Sequence, residues 1–117
     1  MKLFTKSLTQ TDVQKRLSAP VMILSSLPDF KGNAVNLRVR DARSRQVWTF
    51  KCSIRKKNHP KPVFCSDWLD FVRCNDLHVG DEVKFYKEMD EATGANYKIE
   101  VKKAVRVFGV IFGYVET

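Results

Sequence analysis

Apolar side chains recur at every second position through much of this chain. Val35, Leu37 and Val39 alternate with Asn36, Arg38 and Arg40, and Trp48, Phe50, Cys52 and Ile54 alternate with Thr49, Lys51 and Ser53. Val83 and Phe85 flank Lys84; Tyr97, Ile99 and Val101 flank Lys98 and Glu100. Val105 and Val107 carry the pattern into an apolar tail, Phe108 to Val115. A period of two sends successive side chains to opposite faces of an extended backbone, so each run reads as a half-buried strand. Leu3 to Leu8 reads as an opening strand. Asp41-Ala42-Arg43-Ser44 and Ala92-Thr93-Gly94-Ala95 supply the polar, turn-forming links that join antiparallel neighbours.

Two segments break the alternation. Ser66 is placed as an N-cap for a helix running to about Asn75, with Asp67 and Asp70 in its first turn and Arg73 in its last, a charge order that suits the helix dipole. Trp68, Phe71 and Val72 then share one apolar face. Pro20 can open a second short helix, with Val21, Ile23, Leu24 and Leu27 as apolar positions before Pro28 stops it. Short strands separated by turns, with two short helices, predict a mostly-β barrel or sandwich. No internal repeat or low-complexity stretch divides it.

Composition narrows the class. With 117 residues, 44% hydrophobic and 29% charged, the chain reads as one ordered domain, 1–117, with a core of about 3–103 and 104–117 as a final strand or apolar tail. No run is long and apolar enough for a membrane span, and Met1 to Ser7 lacks the apolar region of a signal peptide. Three cysteines, an odd number, argue for reduced thiols. The expectation is a soluble intracellular protein.

Charge is the more informative quantity. Residues 1–61 carry 14 Lys/Arg against 3 Asp/Glu, and residues 62–117 carry 7 against 10. Lys51 to Lys61 holds five basic side chains and no acid. Such clustering fits a surface that meets a polyanion, most commonly nucleic acid, although a solvated face that keeps the protein soluble has the same composition.

Asp67-Trp68-Leu69-Asp70-Phe71-Val72, followed by Asp76-Leu77-His78-Val79-Gly80-Asp81-Glu82-Val83-Lys84-Phe85, resembles the signature of the plant B3 DNA-binding domain. Leu3 to Val13 is similar to that family's opening strand and first arm, Arg16-Leu17-Ser18-Ala19-Pro20 to its step into a helix, and Val47-Trp48-Thr49-Phe50 to its central strand. The order holds from Leu3 to about Lys103. The chain departs from the family pattern with Asp67 in place of Gly, Cys65 in place of Thr and Val21 in place of Lys, which marks a divergent branch. The resemblance implies a seven-stranded open β-barrel with two short α-helices. It also implies two loop arms that grip the major groove of double-stranded DNA, in a plant transcription factor of the nucleus. Carried over by position, the N-arm is Thr9 to Leu17 and the C-arm is Ser53 to Val63, the latter containing the basic run.

On that reading Lys15, Arg16, Lys56, Lys57 and Lys61 clamp phosphates. Arg55 and Asn58 reach base edges, since Arg matches guanine and Asn matches adenine bidentately. Thr11, Gln14 and Ser53 complete the DNA-binding candidates, and Pro60 and Pro62 stiffen the C-arm. Asp12 offers another use of its loop, tying it to its own backbone. Trp48, Phe50, Trp68 and Phe71 could stack on bases but fit the core better, each lying on the apolar face of its element.

Catalytic footholds are few. Asp29, Glu82 and Lys84 loosely resemble the metal site of restriction nucleases, but Asp29 stands far off in a turn. Cys65, Cys74 and His78 lack zinc spacing, which needs close Cys pairs. Neither His59 nor His78 has a nucleophile nearby in sequence. The expectation is no enzyme, no cofactor, no metal and no small-molecule substrate. The rival is a degenerate domain of the same fold that serves as a protein-interaction module, with weak, non-specific DNA binding.

Overall fold

Alternation in the sequence becomes one curled sheet in the computed structural model, which describes residues 1–28, 34–54, 61–107 and 110–116. Its strands are β1 (Lys2–Ser7), β2 (Leu17–Ser18), β3 (Ala34–Asp41), β4 (Val47–Ile54), β5 (Pro62–Ser66), β6 (Glu82–Lys87), β7 (Tyr97–Val107) and β8 (Val110–Glu116). Seven of them follow the order β1-β6-β7-β3-β4-β5-β2, and β8 pairs with β7 outside that path. Every pairing is antiparallel except that of β3 with β7, where Val39 faces Tyr97 and Asp41 faces Ile99. The result is an open half-barrel of the mostly-β class expected, seven strands along the path with β1 and β2 as its two edges, and β8 from the apolar tail as an added strand.

The concave side is filled by the alternating residues. Leu37, Val39, Phe50, Cys52, Val83, Phe85 and Ile99 are buried, whereas Asn36, Arg38, Thr49 and Lys51 between them are exposed. Aromatic rings run through this core from one edge to the helix. Phe4 stacks on Phe85, Phe85 on Tyr97, Phe64 lies 5.2 Å from Phe85, and Phe50 meets Trp68 edge-on at 5.7 Å. Each such ring contributes roughly 1.5–3 kcal/mol by leaving water, with a smaller gain from ring geometry.

Helices depart from expectation in three ways. The helix α1 (Gln10–Gln14) lies inside the N-arm, which the sequence alone presented as a loop. The Pro20 segment is a 3-10 helix, Val21–Ser26, held by bonds such as Ile23 N–H to the Pro20 carbonyl, and it buries Ile23 while leaving Val21 and Met22 exposed. The helix α2 (Trp68–Cys74) has its cap one residue later than expected, at Asp67. Ser66 is not its N-cap: it ends β5 at φ 63°, where the chain swings out of the sheet. Asp67 occupies the cap position but accepts from the Thr49 amide at 3.1 Å, so its carboxylate serves the edge of β4 instead of the helix. Trp48, Phe50, Trp68 and Phe71 are all buried and cannot stack on bases.

The Gly80-Asp81 pair locks the exit of β1. Gly80 N–H donates to the Leu8 carbonyl and Leu8 N–H to the Asp81 carbonyl, both at 2.8 Å. Gly80 has φ 93°, and a Cβ there would come within 2.8 Å of the Arg106 guanidinium and of Ile111 Cδ1. Asp81, fully buried, accepts from the amides of His78 and Ala104 and from Lys103 Nζ, each at 2.8 Å. Burial alone would raise its pKa, but these hydrogen bonds and the Lys103 charge bring it below the usual carboxylate value. The strand exit that leads into the N-arm is thereby anchored to β6 and β7.

Candidate nucleic-acid interface

The N-arm owes its shape to a capping box. Thr9 Oγ1 accepts from the Asp12 amide at 3.3 Å, and Asp12 Oδ2 accepts from the Thr9 amide at 2.8 Å. Asp12 is 1% exposed, and its other oxygen accepts from the Ser18 amide at 3.2 Å and from Lys6 Nζ at 3.0 Å. Lys6 also donates to the Ser18 carbonyl at 2.6 Å, so its side chain spans the seam between β1 and β2. The Trp68 indole N–H donates to the Asp12 carbonyl at 2.7 Å. With Asp12 turned inward, Thr11, Gln14 and Lys15 are left exposed and Arg16 half-exposed.

Strand pairing brings the root of the second arm alongside. Leu17 and Ser18 pair with Phe64 and Val63, Ser53 and Ile54 pair with Val63 and Pro62, and the Ala19 amide donates to the Pro62 carbonyl at 2.9 Å. Ser18, Val63 and Ser53 therefore sit in one row across three strands, which sets the end of the N-arm about 5 Å from the near root of the C-arm at Val63 and about 10 Å from its far root at Ser53, at the usual inter-strand spacing. Ser53 is half-buried and Lys61 exposed. Arg55, Lys56, Lys57 and Asn58, with His59 and Pro60, lie outside the described residues. A cleft of about 270 Å³ opens at the seam, lined by Thr5, Lys6, Ser18, Pro20, Val21 and Lys61.

The charge separation has a spatial counterpart. Among the described residues, no carboxylate lies within ion-pair distance of Lys15, Arg16, Lys51 or Lys61. At the other end of β3, Arg40 sits 3.8 Å from Glu88 and 3.4 Å from Asp90, and Lys98 bonds Glu88 at 2.9 Å while lying over the Tyr86 ring. The Lys98–Glu88 bond raises the lysine pKa and lowers that of the glutamate. Much of the acid in residues 62–117 is thus engaged by bases and backbone away from the arms.

Among the described residues, those of the alternative sites do not converge. Asp29 lies outside the described residues, while Glu82 and Lys84 stand on β6, with Lys84 held below its usual pKa by the closeness and like charge of Lys102. Cys65 donates to the Lys51 carbonyl on β4, Cys74 is exposed on α2, and His78 lies beside Asp76 in the loop before β6. Among the described residues no group of His, Cys, Asp and Glu forms a metal-binding cluster. Sequence reasoning missed Lys6, whose only local signal is an ordinary polar position in a strand. It also missed the Trp68 N–H bond. The Thr9-x-x-Asp12 spacing of the capping box was there to be read.

No protein-family model matches the sequence. Over 91 residues, 78% of this chain, it is 32% identical to the B3 domain-containing protein LFL1 of Oryza sativa subsp. japonica, and it spans 21% of that relative's length. The fold is similar to that of the Arabidopsis FUS3–DNA complex, with a TM-score of 0.74, 29% identity, and coverage of 90% of this chain and 100% of that one. It is also similar to the Arabidopsis thaliana transcription factor LEC2–DNA complex, at TM-score 0.69 and 25% identity over 86% of this chain and 92% of that one. Sequence and fold agree, and the chain is a divergent plant B3 domain.

Proposed function

We propose that this domain binds double-stranded DNA sequence-specifically, with its two arms in the major groove, as the DNA-reading part of a plant transcription factor in the nucleus. The observation that carries this reading is the β2–β5 ladder, which holds the roots of two basic arms side by side. The near root of the C-arm lies about 5 Å from the N-arm and the far root about 10 Å, so both arms fit together within a groove about 12 Å wide. Similarity to two proteins solved as DNA complexes supports the same partner. Lys15, Arg16 and Lys61 meet phosphates as charges without nearby carboxylates, joined by Lys56 and Lys57. Arg55 and Asn58 read base edges, with Thr11, Gln14 and Ser53 supplying further polar contacts. The chemistry is binding alone, without cofactor.

Selection of bound duplexes from a random DNA pool tests this proposal. Enrichment of one motif supports it, and recovery of an unenriched pool refutes sequence-specific reading. The second reading, a protein-interaction module, draws on β8, where Ile111, Tyr114 and Val115 are exposed on a strand at the end of the sheet. It requires equal affinity for every duplex.

A further inference from the structure

A five-residue helix has no stability of its own, since nucleation costs more than so few bonds return. Its order in the N-arm is imposed from outside. One carboxylate does most of this: Asp12 accepts from Thr9 before α1, from Ser18 after the arm, and from Lys6 across the seam. It therefore joins both ends of the arm to each other and to β1. The carbonyl of the same residue takes the Trp68 N–H, so α2 holds the middle of the arm as well.

We infer that Asp12 and the Trp68 indole N–H are positioning residues that hold the N-arm in the shape that meets DNA. The inference rests on the DNA-binding reading above and adds to it a coupling between α2 and the interface. A buried carboxylate costs free energy unless its oxygens are satisfied, and an apolar side chain would fill the same space without that cost. Asp12 sits in an environment that satisfies both oxygens, and every partner lies at a point where the arm joins the body of the fold. Trp68 likewise buries a ring that Phe could largely replace, and its N–H is directed at the arm. An arm ordered before it meets DNA loses less entropy on docking. Thr11, Gln14, Lys15 and Arg16 are outward-facing because Asp12 is pinned inward.

The test uses Trp68→Phe, which keeps an aromatic ring in the core and removes the N–H donor. Duplex binding is titrated over a salt series for the parent, Trp68→Phe, Lys15→Ala with Arg16→Ala, and all three changes combined. Amide hydrogen exchange is followed at Thr9, Asp12 and Ser18. Trp68→Phe is expected to bind about 5- to 10-fold more weakly, as for loss of one hydrogen bond. Its log K against log salt should be shallower by about one to two units, at roughly 0.9 for each phosphate the arm no longer neutralises. Exchange at the three amides should quicken, and the Lys15/Arg16 changes should cost less in the Trp68→Phe background than in the parent. A purely structural role would lower stability but leave the salt slope and additivity unchanged. If Trp68→Phe does not fold, Lys6→Met at the rim of the same network takes its place with the same readouts. A parent that binds no duplex overturns the functional reading. A parent that binds, with unchanged arm exchange, slope and additivity in the folded variant, overturns the positioning inference alone.

Discussion

Replacing Asp81 by Asn is the sharpest test of how the strand exit beneath the N-arm is held. The parent carboxylate accepts from two backbone amides and one ammonium at 2.8 Å while fully buried. Asn can keep one oxygen as an acceptor, for the Ala104 amide. Its NH₂ group then faces the His78 amide and Lys103 Nζ, both donors. Leaving a buried amide unpaired costs about 1–3 kcal/mol. Lys103, 27% exposed, can regain water, so its lost bond adds only about 0–1 kcal/mol. The expected loss at pH 7 is about 1–4 kcal/mol, a substantial share of the roughly 5–15 kcal/mol that holds a domain together. Urea unfolding at fixed temperature measures it. The sign of the pH dependence follows from the depressed pKa. The parent's extra stability is fully present above the ordinary carboxylate value of 3.8 and is lost as pH falls through the lower folded value. The gap between parent and Asp81→Asn should therefore narrow on acidification from about pH 4 downward. A gap under about 0.5 kcal/mol at pH 7, or one that stays constant down to about pH 2, refutes the reasoning.

Three further outcomes are expected. Trp68→Ala removes a fully buried ring and should cost about 3–5 kcal/mol in chemical denaturation; a variant of near-native stability would contradict its place in the core. If about five of the named basic residues neutralise phosphates, log K should fall with log salt at a slope near −4 to −5, and a slope near zero would leave the charge gradient as a device for solubility. Lys57→Ala should weaken all duplexes alike and flatten that slope by about one unit. Arg55→Ala should instead lower the ratio of specific to non-specific affinity by about 1–3 kcal/mol at one base position, and equal loss on a selected and a scrambled duplex would make Arg55 a phosphate clamp.

Much of the candidate site was legible because charge and capping are local properties. The basic run in the C-arm and Lys15-Arg16 in the N-arm needed only composition, and both arms could be bounded by resemblance. The inward turn of Asp12 was open to view as an alternative use of the loop, since a carboxylate three residues after Thr9 fits a capping box. The start of α2 was misread for an equally local reason. Ser66 and Asp67 are both competent caps, and only the neighbouring edge of β4 decided that Asp67 would accept from Thr49.

By itself the sequence determined which side chains are inside and which strand faces meet water, because a half-buried strand has no other way to hide alternate residues. Leu37, Phe50, Phe85 and Ile99 were marked for the core by that rule alone. It also determined that positive charge would gather in the first half of the chain. Partner choice belonged to the tertiary structure. Nothing near Val39 announces Tyr97 as its parallel neighbour, and two residues, Leu17 and Ser18, are too few to declare a strand until Phe64 and Val63 lie beside them. Lys6 becomes a bridge only when β1 and β2 are the facing edges of one curled sheet. Periodicity is a property of neighbours in sequence, whereas these pairings are selected by how the whole core closes.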